Sequence, residues 1–118
     1  MRVWIYTRLS NDDDPERDSL QNQERICREF AAQRGDHIAG LSSDDNISGM
    51  NFSRRGLSRL TAAVEAGGLD GVVVKDLSRL GRHRTQTALF IDYLRERGVR
   101  VLSATERLDT FREEDDLI

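Results

Sequence analysis

Short apolar runs alternate with amphipathic stretches along this chain. Residues 3–6 form the first run, and β-branched runs recur at residues 71–74 and 99–103. A weaker strand is predicted from residue 37 to about residue 41. Strands that alternate with helical patterns are typical of an α/β fold with a mostly parallel sheet. We therefore expect a three-layer sandwich in which roughly four strands are flanked by helices.

Three amphipathic segments predict the helices of this fold. The first is capped by Asp18 or Ser19 and ends at Gly35, the second stops at Gly67, and the third spans about residues 85–97. The positions expected to face the sheet are Leu20, Ile26, Cys27, Phe30 and Ala31 in the first helix, Leu57, Leu60 and Val64 in the second, and Leu89, Phe90, Tyr93 and Leu94 in the third.

Length and composition indicate one small domain. With 118 residues and 37% hydrophobic residues, the chain can bury a single core. No stretch approaches the ~20 apolar residues of a membrane span, so we expect a soluble, cytoplasmic protein. Residues 104–118 have no predicted partner element and resemble the start of a segment that continues.

Cysteine and histidine usage gives no indication of a metal site. The single cysteine, Cys27, excludes an internal disulfide and a cysteine-rich zinc site, and its apolar helical stripe predicts a place in the core. His37 and His83 lack the spacing of metal ligands. We expect neither a metal nor another cofactor.

The charge is distributed unevenly along the chain. The net charge is -3, but residues 106–118 alone carry six acids and two arginines, whereas residues 50–100 carry ten basic side chains against five acids. Nine of those ten are arginine, whose planar guanidinium suits bidentate phosphate contacts. A local basic region can therefore bind polyanions despite the acidic average.

Serine and arginine follow two of the predicted strands. Arg8 and Ser10 come after the first strand, and Arg79 and Arg82 come after the third. In doubly wound sheets, ligands bind beyond the carboxyl ends of the strands where the strand order reverses, so these side chains are expected to meet. A serine hydroxyl among arginines suits phosphoryl transfer, because guanidinium groups stabilise charge that develops on phosphate oxygens.

Other interpretations of the same loops are open. Arg8 and Arg79 could form ion pairs on a solvated rim with loop acids. The acids in question are Asp12, Asp13, Asp14 and Asp76. Alternatively, the carboxylates could hold Mg²⁺ beside a phosphorylated Asp76 in a receiver-like signalling domain, although an Arg-x-Ser sequence stands where that class needs an acid pair. A non-catalytic remnant that binds DNA is a third alternative.

Five short motifs occur in order along the chain, namely WIYTRLS, SLQNQ, DNISG, FSRRGLSRL and KDLSRLGR. Together they resemble the catalytic domain of serine site-specific recombinases of the resolvase/invertase family, over nearly the whole chain. The resemblance implies that Ser10 is the nucleophile, that Arg8 assists it, and that Arg79 and Arg82 bind phosphate. The matching supporting positions are Gln23, Asp45, Ser48, Gly49, Arg54 and Ser78.

This resemblance implies a resolvase-like fold and an enzyme that breaks and rejoins DNA at specific sites, as in recombination or integration. Ser10 would attack a phosphodiester, release the sugar 3′-hydroxyl and keep the 5′-phosphate as a covalent phosphoserine, without ATP or a metal. Many members have aspartate where this chain has Ser78. Serine there is familiar in large serine recombinases and transposon-type members, and it leaves the general acid unassigned.

The partners implied by the resemblance are double-stranded DNA and further copies of the protein. A full-length protein would form homodimers and synaptic tetramers. The present chain is expected to stop before a long dimer-forming helix and a DNA-binding region, and therefore to be monomeric or weakly dimeric. A bacterium, a phage or another mobile element would encode it.

Overall fold

The computed structural model describes residues 1–46 and 54–112 of the chain. Within these ranges lie five β-strands and three α-helices. The strands are β1 (Arg2–Leu9), β2 (His37–Asp45), β3 (Gly71–Val74), β4 (Arg100–Ser103) and β5 (Leu108–Asp109). The helices are α1 (Leu20–Arg34), α2 (Arg55–Ala66) and α3 (Arg84–Glu96), and a 3₁₀ turn (Leu77–Leu80) lies between β3 and α3.

The sheet order brings the carboxyl ends of β1 and β3 side by side. The strands lie in the order β2-β1-β3-β4-β5, and all neighbouring pairs are parallel except β4 and β5. From β1 the chain passes to β2 on one side and then to β3 on the other, so the strand order reverses between β1 and β3. Ligand sites in such sheets lie at this point.

One face of the sheet is covered by α1. Val3, Ile5 and Val73 pack there against Cys27 and Ala31, all of them buried. Burial raises the pKa of the Cys27 thiol to about 12, because the thiolate would lose its hydration. Cys27 is therefore a core residue, as its position in the apolar stripe predicts.

The opposite face is covered by α2 and α3. Val72 and Val74 point to this side because successive strand residues alternate between faces, and they pack with Leu60 of α2 and with Ile91 and Leu94 of α3. The predicted three-layer α/β architecture is confirmed. Within the described ranges, no helix has the length and apolar character needed to cross a membrane.

The second strand is longer than its hydropathy predicts. A strand to about residue 41 was indicated, but the pairing of β2 with β1 continues to Leu9 and Asp45. Polar residues extend the strand because they find partners in α2. Ser42 Oγ donates to the Gly56 carbonyl at 2.7 Å, and Asp44 Oδ1 accepts from the Gly56 N–H at 2.8 Å.

Two further details correct the sequence-based prediction. The segment after β4 does have a partner, because β5 pairs antiparallel with β4 after a turn in which Arg107 adopts a positive φ of 52°. The sheet is therefore five-stranded. Leu89 does not face the sheet but is 64% exposed, since the helical turn of α3 directs Ile91 and Leu94 inward instead.

Candidate active site

The loop after β1 holds Ser10 against the carboxylate of Asp13. Asp13 Oδ2 accepts a hydrogen bond from the Ser10 N–H at 2.8 Å and another from Ser10 Oγ at 3.2 Å. The Asp13 N–H donates in return to the Ser10 carbonyl at 3.1 Å. Short polar side chains stabilise turns in this way, by binding nearby backbone groups. The acidic sequence after Ser10 thus forms a turn that fixes the serine hydroxyl.

Arg8 is anchored through its backbone and its guanidinium. Its N–H donates to Gln23 Oε1 at 3.2 Å, and its carbonyl accepts from Gln23 Nε2 at 2.8 Å. Nη2 donates to the carbonyls of Ser78 and Gly81 in the loop after β3. Arg8 therefore ties the loop after β3 to the end of β1. Its Nε is buried and has no hydrogen-bond partner among the residues that the structure describes.

Gln23 acts from the interior of the protein. Its side chain is fully buried, and Nε2 donates also to the Asp18 carbonyl at 2.7 Å. Gln23 thus joins α1, the loop before it and the Arg8 backbone. It supports the site by holding the end of β1 in place.

The 3₁₀ turn places Arg79 in contact with the loop that carries Ser10. The Arg79 side chain is 4% exposed, and its Nη1 donates to Asp13 Oδ2 at 2.7 Å and to the Arg8 carbonyl at 2.8 Å. Its Nη2 lies 3.2 Å from Asp76 Oδ2. Arg79 therefore forms the ion pairs with loop acids that the sequence left open, and one of these acids, Asp13, also binds Ser10.

A buried ion pair between Asp18 and Lys75 also contacts Arg79. Asp18 is 3% exposed and pairs with the Lys75 ammonium, with Arg17 Nη2 at 3.3 Å and with Arg79 Nη2 at 3.6 Å. Burial by itself raises the pKa of Asp18, but the hydrogen bonds from Lys75 and Arg17 outweigh it and hold that pKa at about 2. Asp18 is therefore a buried anion in a cationic setting.

A cleft of about 570 Å³ opens between this edge of the sheet and helices α2 and α3. Four arginines contribute to its lining, namely Arg8, Arg54, Arg79 and Arg82. Its apolar lining includes Leu57, Leu80, Leu89, Phe90 and Tyr93. Ser10 does not line the cleft, because its hydroxyl is directed to Asp13. The fold thus collects the predicted arginines at one site and places the serine at its border.

The two central guanidinium groups have pKa values that shift in opposite directions. Burial lowers the pKa of Arg8, and the charges of Arg79 and Arg82 act in the same direction. Burial also disfavours the charged form of Arg79, but its hydrogen bond to Asp13 and the nearby charge of Asp76 outweigh this, so the pKa of Arg79 is raised. The acids therefore secure one cation within a cluster of like charges.

Of the remaining predicted residues that the structure describes, Arg54 and Arg82 line the cleft, whereas Ser78 and Asp45 do not. Arg54 is exposed just before α2, and Arg82 is exposed with its N–H donating to Gln86 Oε1 at 2.9 Å. Ser78 is exposed and its hydroxyl bonds Asp76, not Ser10. Asp45 is exposed at the end of β2. Ser48 and Gly49 lie outside the described residues.

Asp44, the neighbour of the predicted Asp45, is a structural residue that the sequence motifs did not single out. Asp44 is 2% exposed and accepts hydrogen bonds from Tyr6 Oη at 2.7 Å, the Gly56 N–H at 2.8 Å and the Leu57 N–H at 3.0 Å. Burial and then this hydrogen bond raise the pKa of Tyr6. Strand alternation was the available signal, since it directs Asp44 and Asp45 to opposite faces.

Asp13 and Asp18 were also missed as parts of the site. The sequence suggested Asp13 only as an ion-pair partner or a Mg²⁺ ligand, and Asp18 only as a helix cap. The helix cap is in fact Ser19, whose Oγ accepts from the Asn22 N–H at 3.1 Å. No periodicity marks these acids, because their positions depend on the conformation of a loop.

The fold and the site together define an α/β domain that gathers arginines and a serine at the carboxyl edge of a parallel sheet. The family model described as the resolvase N-terminal domain matches residues 3–118, and the chain belongs to this family. The family predicted from the five motifs is thereby confirmed.

Similar proteins agree with this assignment. The serine recombinase gin of Escherichia phage Mu is 32% identical over 107 residues, which are 89% of this chain and 48% of that relative. The chain thus spans about half the length of this relative. The N-terminal catalytic domain of TP901-1 integrase superposes with a TM-score of 0.83 at 26% identity, over 99% of this chain and 87% of that one.

A resolvase family site-specific recombinase from Streptococcus pneumoniae is similar to the same extent. Its TM-score is 0.84 at 25% identity, over 97% of this chain and 78% of that chain. Both likenesses cover nearly the whole chain, so the predicted fold class is confirmed.

Proposed function

We propose that this domain catalyses strand breakage in a site-specific DNA recombinase, with Ser10 as the nucleophile. Ser10 Oγ bonds to the phosphorus of a DNA phosphodiester, and the bond from phosphorus to the sugar 3′ oxygen breaks. The 5′-phosphate stays on the protein as phosphoserine. Attack by a 3′-hydroxyl of another strand then rejoins the DNA, which gives recombination or integration.

The observation that carries this proposal is the hydrogen-bond acceptor that the nucleophile shares with an arginine of the cleft. Ser10 Oγ and Arg79 Nη1 both donate to one atom, Asp13 Oδ2, at 3.2 and 2.7 Å. The serine hydroxyl therefore lies beside a guanidinium whose neighbours line the cleft. Arginines in such a place stabilise the charge that develops on a phosphate during transfer, and this is the main contribution a protein makes to phosphoryl transfer.

The partner that we propose is double-stranded DNA in the cytoplasm, cut by paired subunits. The similar proteins bear the names recombinase and integrase. The four arginines that line the cleft suit a phosphate backbone that approaches from outside. Arg8, Arg54 and Arg82 would contact phosphates. Gln23 would keep Arg8 in position, and Asp18 would keep Arg79 in position.

A receiver-like function has little support from the geometry. That alternative needs Asp12, Asp13 and Asp14 to hold Mg²⁺ beside a phosphorylated Asp76. The carboxylates of both Asp13 and Asp76 contact the Arg79 guanidinium instead. A cation bound by the same oxygens would face this positive charge at close range. The loop acids thus serve an arginine, as expected for a site that receives anions.

The test is the variant Ser10→Ala in the protein as its gene encodes it. We expect Ser10→Ala to abolish cleavage of a nicked or suicide DNA site while DNA binding stays nearly unchanged, because only the nucleophilic oxygen is removed. The wild-type protein should form an adduct that resists denaturant. Peptide mapping should locate a 5′-phosphate on Ser10.

Ser58→Ala is the matched control, since Ser58 is an exposed serine on α2 and the change removes the same hydroxyl. It should form the adduct at the wild-type rate. An adduct that persists in Ser10→Ala, or that maps to Ser78, would show that the nucleophile is misassigned.

A further inference from the structure

The carboxylate of Asp13 is the described side chain in closest chemical contact with the proposed nucleophile. Ser10 Oγ donates its hydrogen bond to Asp13 Oδ2 at 3.2 Å, and among the residues that the structure describes no other side chain bonds this hydroxyl. The Ser10 N–H also donates to Oδ2. The acceptor is therefore fixed relative to the serine by two bonds from the same residue.

Arg79 orients this carboxylate from the other side. Arg79 Nη1 donates to Asp13 Oδ2 at 2.7 Å, and the Asp13 side chain is 15% exposed. The charged groups that act on Asp13 are Arg79 from the 3₁₀ turn, Arg8 from β1 and Arg17 from its own loop. A carboxylate held between a hydroxyl and a guanidinium has few orientations, which is what a proton acceptor needs.

We propose that Asp13 is a catalytic residue that accepts the Ser10 proton, a role that rests on Ser10 being the nucleophile. As Oγ bonds to phosphorus, the hydroxyl proton moves to Asp13 Oδ2. The electron pair of the breaking P–O bond goes to the sugar 3′ oxygen, which takes a proton from water. The products are phosphoserine, a 3′-hydroxyl and a neutral Asp13, and the water is left as hydroxide.

Rejoining runs through the same groups in reverse. A 3′-hydroxyl attacks the phosphoserine, Asp13 returns its proton to the departing Ser10 Oγ, and the proton of the 3′-hydroxyl passes to solvent. One carboxyl group then serves as base in breakage and as acid in rejoining. This assignment supplies a proton carrier for the serine from the same loop that holds its hydroxyl.

The neighbouring acids do not offer the same geometry. Asp12 is exposed, and Asp14 Oδ1 accepts from the N–H groups of Glu16 and Arg17 instead. Asp76 is occupied by Ser78 and Arg79. Asp13 is therefore the loop acid whose removal should affect the chemistry of Ser10 directly.

The first experiment compares Asp13→Asn with Asp12→Asn in the protein as its gene encodes it. The two variants make the same change of charge in adjacent residues, but only the first removes the acceptor. We expect Asp13→Asn to slow formation of the Ser10 adduct at least a hundredfold, the usual scale of general-base catalysis, and Asp12→Asn to leave it within about twofold. Noncovalent binding of an uncleaved duplex should change little in either variant.

The second experiment separates proton transfer from a structural role. In Asp13→Ala, added formate can occupy the vacated space and supply a carboxylate, whereas chloride at equal ionic strength cannot accept the proton. We expect formate to raise the rate of adduct formation at least tenfold over chloride. Formate should give no such gain in Ser10→Ala or in the wild-type protein.

The outcomes distinguish this inference from the proposed function. Adduct formation by Asp13→Asn at or above the wild-type rate would refute the role of Asp13 while leaving Ser10 as nucleophile. A slow Asp13→Ala that formate does not rescue would make Asp13 a structural residue only. An adduct in Ser10→Ala would instead refute the proposed function itself. Circular dichroism of each variant checks that the domain remains folded.

Discussion

At the scale of single residues, the site depends on acids that hold arginines in a fixed arrangement. Asp18 illustrates this, since its carboxylate is buried among Lys75, Arg17 and Arg79. A buried ion pair is weak evidence for stability as such, but removal of one partner leaves the other charge buried without compensation. Asp18 should therefore matter most for keeping Lys75 and Arg79 in place.

Asp18→Asn should lower the free energy of unfolding by about 2–3 kcal/mol at pH 7. The estimate follows from the Asp18 pKa of about 2 against ~3.9 for an ordinary aspartate, at ~1.4 kcal/mol per pKa unit. Urea denaturation followed by circular dichroism measures it. Asp12→Asn, an exposed acid of the same loop, is the control and should change the free energy by less than ~0.5 kcal/mol.

The loss of stability in Asp18→Asn relative to the wild-type protein should depend on pH. Because the folded-state pKa of Asp18 lies below the unfolded-state value, its stabilising contribution is fully present above pH ~4 and is lost as the pH falls toward 2. The difference in unfolding free energy between wild type and Asp18→Asn should shrink over that range. A difference that stays constant from pH 7 to pH 2.5 would contradict the assignment.

At the scale of elements, two features join β2 to α2, namely the Asp44 carboxylate and the close packing of Gly56 against the Ser43 backbone. Asp44 accepts from the first backbone amides of α2, as a helix-capping side chain does, and from Tyr6 of β1. A Cβ at Gly56 would lie 2.5 Å from the Ser43 carbonyl oxygen, so only glycine lets α2 begin this near the strand. This junction fixes Arg54, which directly precedes α2, at the cleft.

Asp44→Ala should lower the free energy of unfolding by about 2–3 kcal/mol. The loss combines a helix cap of ~1 kcal/mol with a buried Tyr6 hydroxyl left without its acceptor. Hydrogen exchange at the Gly56 and Leu57 amides should also accelerate. Asp45→Ala is the matched control, and an effect below ~1 kcal/mol is expected because Asp45 is exposed. Equal losses in the two variants would refute the capping role.

Periodicity in the sequence was sufficient to predict the main elements and the meeting of two loops. The apolar runs gave β1 and β3, and the reversal of strand order between them follows from topology, which brings Arg8 and Arg79 together. The contacts of Asp13 could not be predicted in the same way, because they depend on a loop turn whose shape no repeat encodes. Asp44 could have been found from strand alternation had β2 been recognised to its end.

At the scale of the whole molecule, an acidic chain carries a basic cleft. The net charge is -3, yet Arg8, Arg54, Arg79 and Arg82 all contribute to one concavity. Two of them are buried and held by backbone carbonyls or acids, while Arg54 and Arg82 are exposed. In the proposed function, the buried pair would bind the scissile phosphate, and the exposed pair would bind neighbouring phosphates of the DNA backbone. Contacts between exposed arginines and backbone phosphates add affinity because counterions are released. The salt dependence of DNA binding should therefore report them.

Arg82→Gln should therefore weaken binding of duplex DNA and reduce its dependence on salt, in the protein as its gene encodes it. Loss of one phosphate contact lowers the slope of log K against log salt concentration by about 0.9, because one fewer counterion equivalent is released. Arg84→Gln removes the same charge from an exposed position that does not line the cleft, and it should leave the slope nearly unchanged. Fluorescence anisotropy of a labelled duplex, measured between about 50 and 200 mM salt, separates the two variants. If both lowered the slope equally, the effect would reflect net charge alone and the cleft would not be the surface that meets the DNA backbone.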